Sequence, residues 1–488
     1  MVFSTIYFIF LFLPILLGVY FLAKERYRNG ILLVASIFFY AYGEPKFVFV
    51  MLLSILMNYL FALGIGAARK KGEAAKQGAD GACKPDSTMK ILLVADIAAN
   101  LSIFFVFKYL DFTLKTINTL AGVDFPLKNI ALPIGISFFT FQALSYVIDV
   151  YRGDAAAQKN LGKVALYIAL FPQLIAGPIV RYKEIEAQID HRTVTFEDFG
   201  YGVKRFILGF GKKVLIANNM AIIAESIYGV AEPAMYPIAL LWLGMIAYGL
   251  QIFFDFSGYS DMAIGLGWMF GFKFEENFNY PYISRSCTEF WRRWHMSLGR
   301  WFRDYVYFPL GGSRKGPGRQ VFNLFIVWLL TGIWHGANWT YIAWAMLMFA
   351  LQILERFLVK PEKRNFLITL LWWGTWIFAL NFIWGIFTAK DLSSGIHFCA
   401  CLLGIGTEDI GLRSPLVIKN LQEYWFFFLM GALFSAPLMP ALDRLTDRSA
   451  FLKKAKTVVV PAGYFLIFLW SVSYLLLGAH NPFIYFNF

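Results

Sequence analysis

The chain has 488 residues, of which 59% are hydrophobic, 19% aromatic and only 15% charged, far from the roughly 45–50% apolar and 25% charged of soluble domains. Such a composition excludes an ordinary soluble enzyme and makes lipid the solvent. The net charge of +13 does not point to nucleic acid, because the basic residues fall in short connections between apolar runs, which is the positive-inside pattern of membrane proteins.

Residues 6–22 are the first apolar run, and no basic residue precedes it. The charged start of a secretory signal is therefore missing, and the run is expected to be retained as the first span. Lys24, Arg26 and Arg28 follow, which puts that connection in the cytoplasm and the N-terminus outside. Residues 31–42 lead to Glu44-Pro45-Lys46, residues 47–65 cross back, and a basic, Gly- and Ala-rich loop over 69–90 is expected to be cytoplasmic and mobile. Residues 91–110 form the next span.

Beyond this point the apolar pattern is interrupted by Pro133-Ile134-Gly135, Phe171-Pro172-Gln173 and Ala176-Gly177-Pro178. Broken backbone at membrane depth is tolerated where protein buries it or where it lines a wet cavity. The breaks therefore predict re-entrant half-helices around a tunnel, with ordinary kinks as the competing reading. Spans at 236–256, 321–334 with 341–354, 366–386, 425–438 and 458–477 bring the expected total to about eleven or twelve. The basic linker 442–456 should be cytoplasmic, so the last span runs outward and leaves residues 480–488 on the same side as the N-terminus. No internal repeat is visible, which weakens an inverted-repeat transporter reading. The expected organisation is one all-α integral membrane domain, with N-terminal spans in 1–130, a catalytic core in 131–355 and C-terminal spans in 356–488.

Two segments carry chemistry. The string EFWRRWHMSLGRWFRDY at 289–305, placed on a helix, puts Arg292, Arg293, Arg300 and Arg303 in one arc and Trp291, Trp294, Leu298, Trp301, Phe302 and Tyr305 in another. This predicts an amphipathic interfacial helix with His295 at the edge of its apolar face. Its arginines could meet lipid headgroups or the phosphates of an incoming donor. The second segment, LLTGIWHGANW at 329–339, sets His335 between glycines inside a long apolar stretch. An ionisable residue there is a functional candidate, and neutral imidazole suits abstraction of a hydroxyl proton; a structural histidine bonded to a neighbouring helix is the alternative. His191, His397 and the Cys399/Cys401 pair are expected to be structural, because no metal-ligand spacing surrounds them. Asp255 and Asp261, in FDFSGYSD, need cationic partners, and an arginine of the basic helix is the expected one. No P-loop, G-x-S-x-G or H-E-x-x-H string occurs.

DFSGYSDMAIGLG at 255–267, EFWRRWHMSLGRWFRDYVYFPLGGSR at 289–314 and LTGIWHGANW at 330–339 resemble the membrane-bound O-acyltransferase family, in its bacterial branch typified by the alginate O-acetylation membrane protein. PIGISFFTFQALSYVIDVYRG at 133–153 and FPQLIAGPIVRY at 171–182 extend the likeness over most of the chain. The resemblance implies a ring of tilted helices around a tunnel joining both faces. His335 would be the family's invariant histidine, and His295 the second position of its pair. It implies support from Asp255, Ser257, Tyr259, Asp261, Trp334 and Asn338, and an acetyl donor, most simply acetyl-CoA, entering from the cytoplasm. The acyl group would serve O-acetylation of an extracytoplasmic polysaccharide such as alginate, with a secreted SGNH-type or related O-acetyltransferase as partner. Peptidoglycan is the alternative acceptor, and a polysaccharide or lipid-intermediate transporter the alternative class. Residues 483–488, FIYFNF, resemble the F-x-Y-x-x-F C-terminus of the small partner peptide in teichoic acid D-alanylation. That likeness makes Tyr485 a candidate acyl relay, with an aromatic interfacial anchor as the competing reading.

Overall fold

The computed structural model describes residues 1–74, 87–228, 232–359, 366–407, 410–446 and 449–484. Every regular element among them is helical. Six helices are long and apolar enough to cross a membrane, or seven if Pro415–Phe434 and Leu438–Thr446, bent by 70° at their junction, form one span. The other expected crossings are shorter or more polar helices: Phe8–Leu22, Pro317–His335 and Trp339–Leu354. The strict count is therefore below eleven or twelve. The Pro415 helix also starts ten residues before the expected 425, and Lys453, Lys454 and Lys456 belong to the last helix, Ala450–Leu476, rather than to a loop. Lysine is a good helix former, so a run of basic residues does not mark a helix end.

The contacts divide the chain into two compact units, Met1–Val203 with Ala263–Glu275, and Lys204–Met262 with Glu276–Phe488. In the first, helices Val48–Ala74 and Ser87–Phe104 are joined by reciprocal side-chain bonds between buried Asn58 and Asn100, both 3.1 Å, a polar link suited to neighbouring spans in lipid. The broken stretch 170–180 is buried throughout. Its polar backbone is met from within the protein: Ser36 Oγ accepts from Phe171 N–H (3.1 Å), and Tyr167 Oη donates toward Val180 C=O (2.9 Å). Gly135 sits at φ +78° with Leu174 C=O where a Cβ would stand, at 2.8 Å, so only glycine lets the helix Ile136–Arg152 begin against this stretch.

Four helices that lie wholly or mostly in the second unit are labelled as follows. Helix α1 is Phe196–Tyr228, with a π-helical segment at Lys212–Ala217; α2 is Ile238–Met269; α3 is Pro317–His335; α4 is Trp339–Leu354. Within this unit α1 and α2 touch backbone to backbone. A Cβ on Gly209 would lie 2.4 Å from Gly258 C=O, and one on Gly258 2.7 Å from Gly209 C=O. Aromatic residues fill much of the core: Trp294, Trp328, Trp334, Trp344, Trp376 and Trp384 are all buried.

Candidate active site

His335 is the last residue of α3, and its position follows from two glycines. A Cβ on Gly332 would meet Tyr341 C=O at 2.8 Å, and one on Gly336 would meet the Tyr341 ring at 2.1 Å. The α3–α4 turn is therefore tight enough to fold α4 back over the end of α3. Asn338 caps α4, its side chain accepting from Thr340 N–H (3.2 Å) and donating to Lys390 C=O (2.8 Å). Asn338 thus holds the turn rather than facing His335.

At 6% exposure, His335 stands in an aromatic box: Trp334 and Trp344 ring centres lie 5.0 Å away and Phe387 5.5 Å, all edge to face. Trp334 also bridges to His295, whose ring centre is 5.8 Å from it. The two histidines thus flank one indole. Carbonyls at the C-terminal end of a helix favour positive charge, which suits a side chain at that end which takes up a proton.

The continuous amphipathic helix expected over 289–305 does not form. The chain makes a short helix Cys287–Trp291, turns, resumes at Met296–Phe302 and ends in a π-helical turn at Arg303–Tyr307. The break is at His295, which takes a left-handed conformation, φ +44° and ψ +52°, uncommon for a side chain larger than glycine. Asn277 holds it there. Its Oδ1 accepts from Ser297 N–H (3.1 Å) and Ser297 Oγ–H (2.9 Å) and lies 3.3 Å from His295 Nδ1, while its backbone C=O accepts from Met296 N–H (2.9 Å). A proton on His295 Nδ1 would donate to this Oδ1, the tautomer that leaves Nε2 as the acceptor. His295 is 2% exposed and lies outside the spanning helices; burial first, then the nearby charges of His335 and Arg300, hold it well below the usual imidazole range. It is neutral at physiological pH. A cavity of about 150 Å³ opens beside it, walled by Trp291, Trp294, Leu298, Trp328 and Thr331.

Breaking the helix scatters the four arginines. Arg293 pairs with Glu289 (3.0 Å), Arg303 with Asp304 (2.8 Å), and Arg300 reaches Glu276 C=O (3.4 Å). Arg292 and Arg303 are exposed. None of the four meets the aspartates. Asp261 is held instead by Arg205 and Lys212, each at 2.7 Å, and Asp255 by Lys213 at 2.8 Å. The reason is the glycine-mediated contact of α1 with α2, which brings lysines of the π-helical segment against the carboxylates. Ser257 and Tyr259 are buried on the same helix as these carboxylates, and Phe483 of the C-terminal segment stacks on Tyr259 with ring centres 4.8 Å apart. Tyr485 lies outside the described residues.

Lys212, Lys213 and Asn277 are the residues that sequence reasoning missed. Two adjacent lysines inside the run FILGFGKKVLIANN are an intramembrane-charge signal that could have been read. Asn277, in FEENFNYPY, carries none. Elsewhere, His480 reaches Glu225 (2.8 Å), Cys401 Sγ lies 4.0 Å from His397 Nε2, and His191 ends the helix Tyr182–Asp190.

Residues 34–398 match the profile of MBOAT, the membrane-bound O-acyltransferase family. A protein of Pseudomonas putida named "Probable alginate O-acetylase AlgI" is 39% identical over 100% of both chains. Its namesake in Pseudomonas aeruginosa is 44% identical over 86% of this chain and 78% of its own. A "Peptidoglycan O-acetyltransferase" of Helicobacter pylori is 32% identical over 83% of this chain and 80% of its own.

Proposed function

The chain belongs to the membrane-bound O-acyltransferase family and is a multi-pass membrane O-acyltransferase, and from that premise we propose that it passes acetyl from a cytoplasmic thioester to an extracytoplasmic polysaccharide of the alginate kind. The observation that carries the reading is His335, buried at the end of α3 in a box of aromatic rings. His335 takes the proton of an acceptor hydroxyl, the hydroxyl oxygen attacks the thioester carbonyl, the carbon–sulfur bond breaks, and the proton passes to the departing thiolate. His295 Nε2, across Trp334, supplies a neutral second acceptor. The aromatic walls exclude water that would otherwise take the acyl group.

Acetyl-CoA is the donor this reading assigns. The cavity beside His295 is about 150 Å³, near the size that holds a benzene molecule in a protein core, and so suits a short acyl group rather than a fatty one. The exposed Arg292 and Arg303, with the half-buried Arg293 and Arg300, would receive the donor phosphates. Identity with the alginate relatives exceeds that with the peptidoglycan one and favours the first acceptor class; a secreted O-acetyltransferase of the SGNH or a related type would complete the transfer. The positive-inside pattern puts both termini outside, where Tyr485 would receive the acyl group as an ester and pass it on.

The test is polymer-bound acetate in cells carrying wild type or His335→Ala at equal membrane abundance. Export of polymer without acetate supports a catalytic histidine; unchanged acetate makes His335 structural, and failed export favours a transporter. Tyr485→Phe should likewise abolish acetylation, and full acetylation by that variant removes the relay while leaving His335 standing.

A further inference from the structure

The C-terminal segment does not hang free of the second unit. After the turn at Gly478 (φ +64°), His480 meets Glu225, and Asn481 Oδ1 accepts from Asn218 Nδ2 (3.1 Å). Pro482 C=O accepts from Lys213 Nζ. The partners descend α1 from Glu225 through Asn218 to Lys213 as the segment advances from 480 to 482, so the segment runs antiparallel to α1. It then leaves α1: Phe483 stacks on Tyr259 and Ile484 N–H donates to Asp255 Oδ2 (2.8 Å), both on α2. Phe483 and Ile484 are buried.

The chemistry at the end of this path is unusual for a surface tail. Lys213 and Asp255 are each 2% exposed and 2.8 Å apart. The lysine ammonium donates to Asn218 Oδ1 (2.7 Å) and to Pro482 C=O, and Asp255 Oδ1 stands beside it as the counter-charge of an ion pair. Asp255 in turn uses one oxygen for Lys213 and the other for Ile484 N–H. A buried ion pair costs desolvation that its own attraction barely offsets, so its groups reward any further bonds they can make. Here the further bonds go to the backbone of the tail on both sides of Phe483.

We infer that the buried Lys213–Asp255 pair is a docking clamp for the C-terminal segment, gripping the Pro482 carbonyl and the Ile484 amide and so fixing the depth to which the segment enters the second unit. Because it holds backbone rather than side chains, the clamp sets register: one residue of slippage would present a different amide and carbonyl. Tyr485 is the residue bonded to Ile484, so the clamp is the positioning device for the relay proposed above, and in that respect it rests on that reading. Lys213 and Asp255 are positioning residues, acting on the acyl group only through the tail.

The experiment is hydrogen–deuterium exchange by mass spectrometry on the full chain in lipid nanodiscs, comparing wild type, Lys213→Met, Asp255→Asn and the double exchange Lys213→Asp/Asp255→Lys. The clamp predicts that amides of the 480–488 peptide exchange at least about tenfold faster in both single variants, while peptides of α1 and α2 keep their protection. The double exchange restores an ion pair between α1 and α2, but a carboxylate at 213 cannot donate to Pro482 and an ammonium at 255 cannot accept from Ile484. Its tail should therefore stay unprotected. Tail protection unchanged in the single variants, or regained in the double exchange, overturns the clamp. Loss of α1 and α2 protection together with the tail also overturns it, in favour of a pair that only joins helices. Tyr485→Phe should keep tail protection while losing acetylation, so failure of the clamp and failure of the relay give different patterns.

Discussion

Asn277→Ala is the most informative substitution, because Asn277 holds the backbone turn that gives His295 its left-handed conformation. The change removes the acceptor of two Ser297 donors, at 3.1 and 2.9 Å, and the neighbour of His295 Nδ1 at 3.3 Å. All of these groups are buried, so no solvent replaces the lost partner. A buried donor left unsatisfied costs about 1–3 kcal/mol; with two bonds to Ser297 lost and some relaxation, the loss is about 2–4 kcal/mol. His295 also loses the group that keeps its proton on Nδ1, and a fraction of the rings then presents Nε2–H to the site. The midpoint of thermal unfolding in detergent should fall by several degrees and polymer-bound acetate by about tenfold, since general acid–base groups contribute at least that factor. Ser297→Ala removes only the hydroxyl bond, so it should cost about 1 kcal/mol and leave most of the acetate. If Asn277→Ala unfolds at the wild-type temperature and acetylates normally, neither the anchoring of His295 by Asn277 nor its proton assignment survives.

Two further outcomes follow from the same geometry. Gly336→Ala should destabilise by about 1–3 kcal/mol through overpacking and depress acetylation, because its Cβ would stand 2.1 Å from the Tyr341 ring; Gly374→Ala, with nothing within 4 Å, is the neutral control in the same unfolding assay. His295, held neutral in the folded protein, becomes protonated in the unfolded chain below about pH 6.5. The unfolded state then binds more protons, so stability should fall as pH drops below about 6.5 and be insensitive to this group above it. Unfolding midpoints between pH 5 and 7.5 for wild type and His295→Gln check this: the glutamine variant should lose that slope, and an equal slope in both removes His295 as its source.

The membrane class and the family resemblance were legible because each rests on local strings: apolar runs, basic connections, and the motifs around Asp255, Glu289 and Gly332. Tertiary partners were not. The helical wheel over 289–305 assumed an unbroken period, and the αL residue at His295 that breaks it is specified by Asn277, 18 positions away. The aspartates were assigned arginines close in sequence, whereas α1 supplies Lys212, Lys213 and Arg205 across a contact that only Gly209 and Gly258 permit.

The Gly209–Gly258 crossing also bears on how the enzyme can move. Two helices in backbone contact, with ion pairs from Lys213 and Lys212 to Asp255 and Asp261, one turn to either side of Gly258 on α2, cannot slide past one another without breaking both pairs in a medium that offers no replacement. The C-terminal segment, a few residues long and held by bonds that include those of His480, Asn481, Pro482 and Ile484, can by contrast detach without parting the two helices.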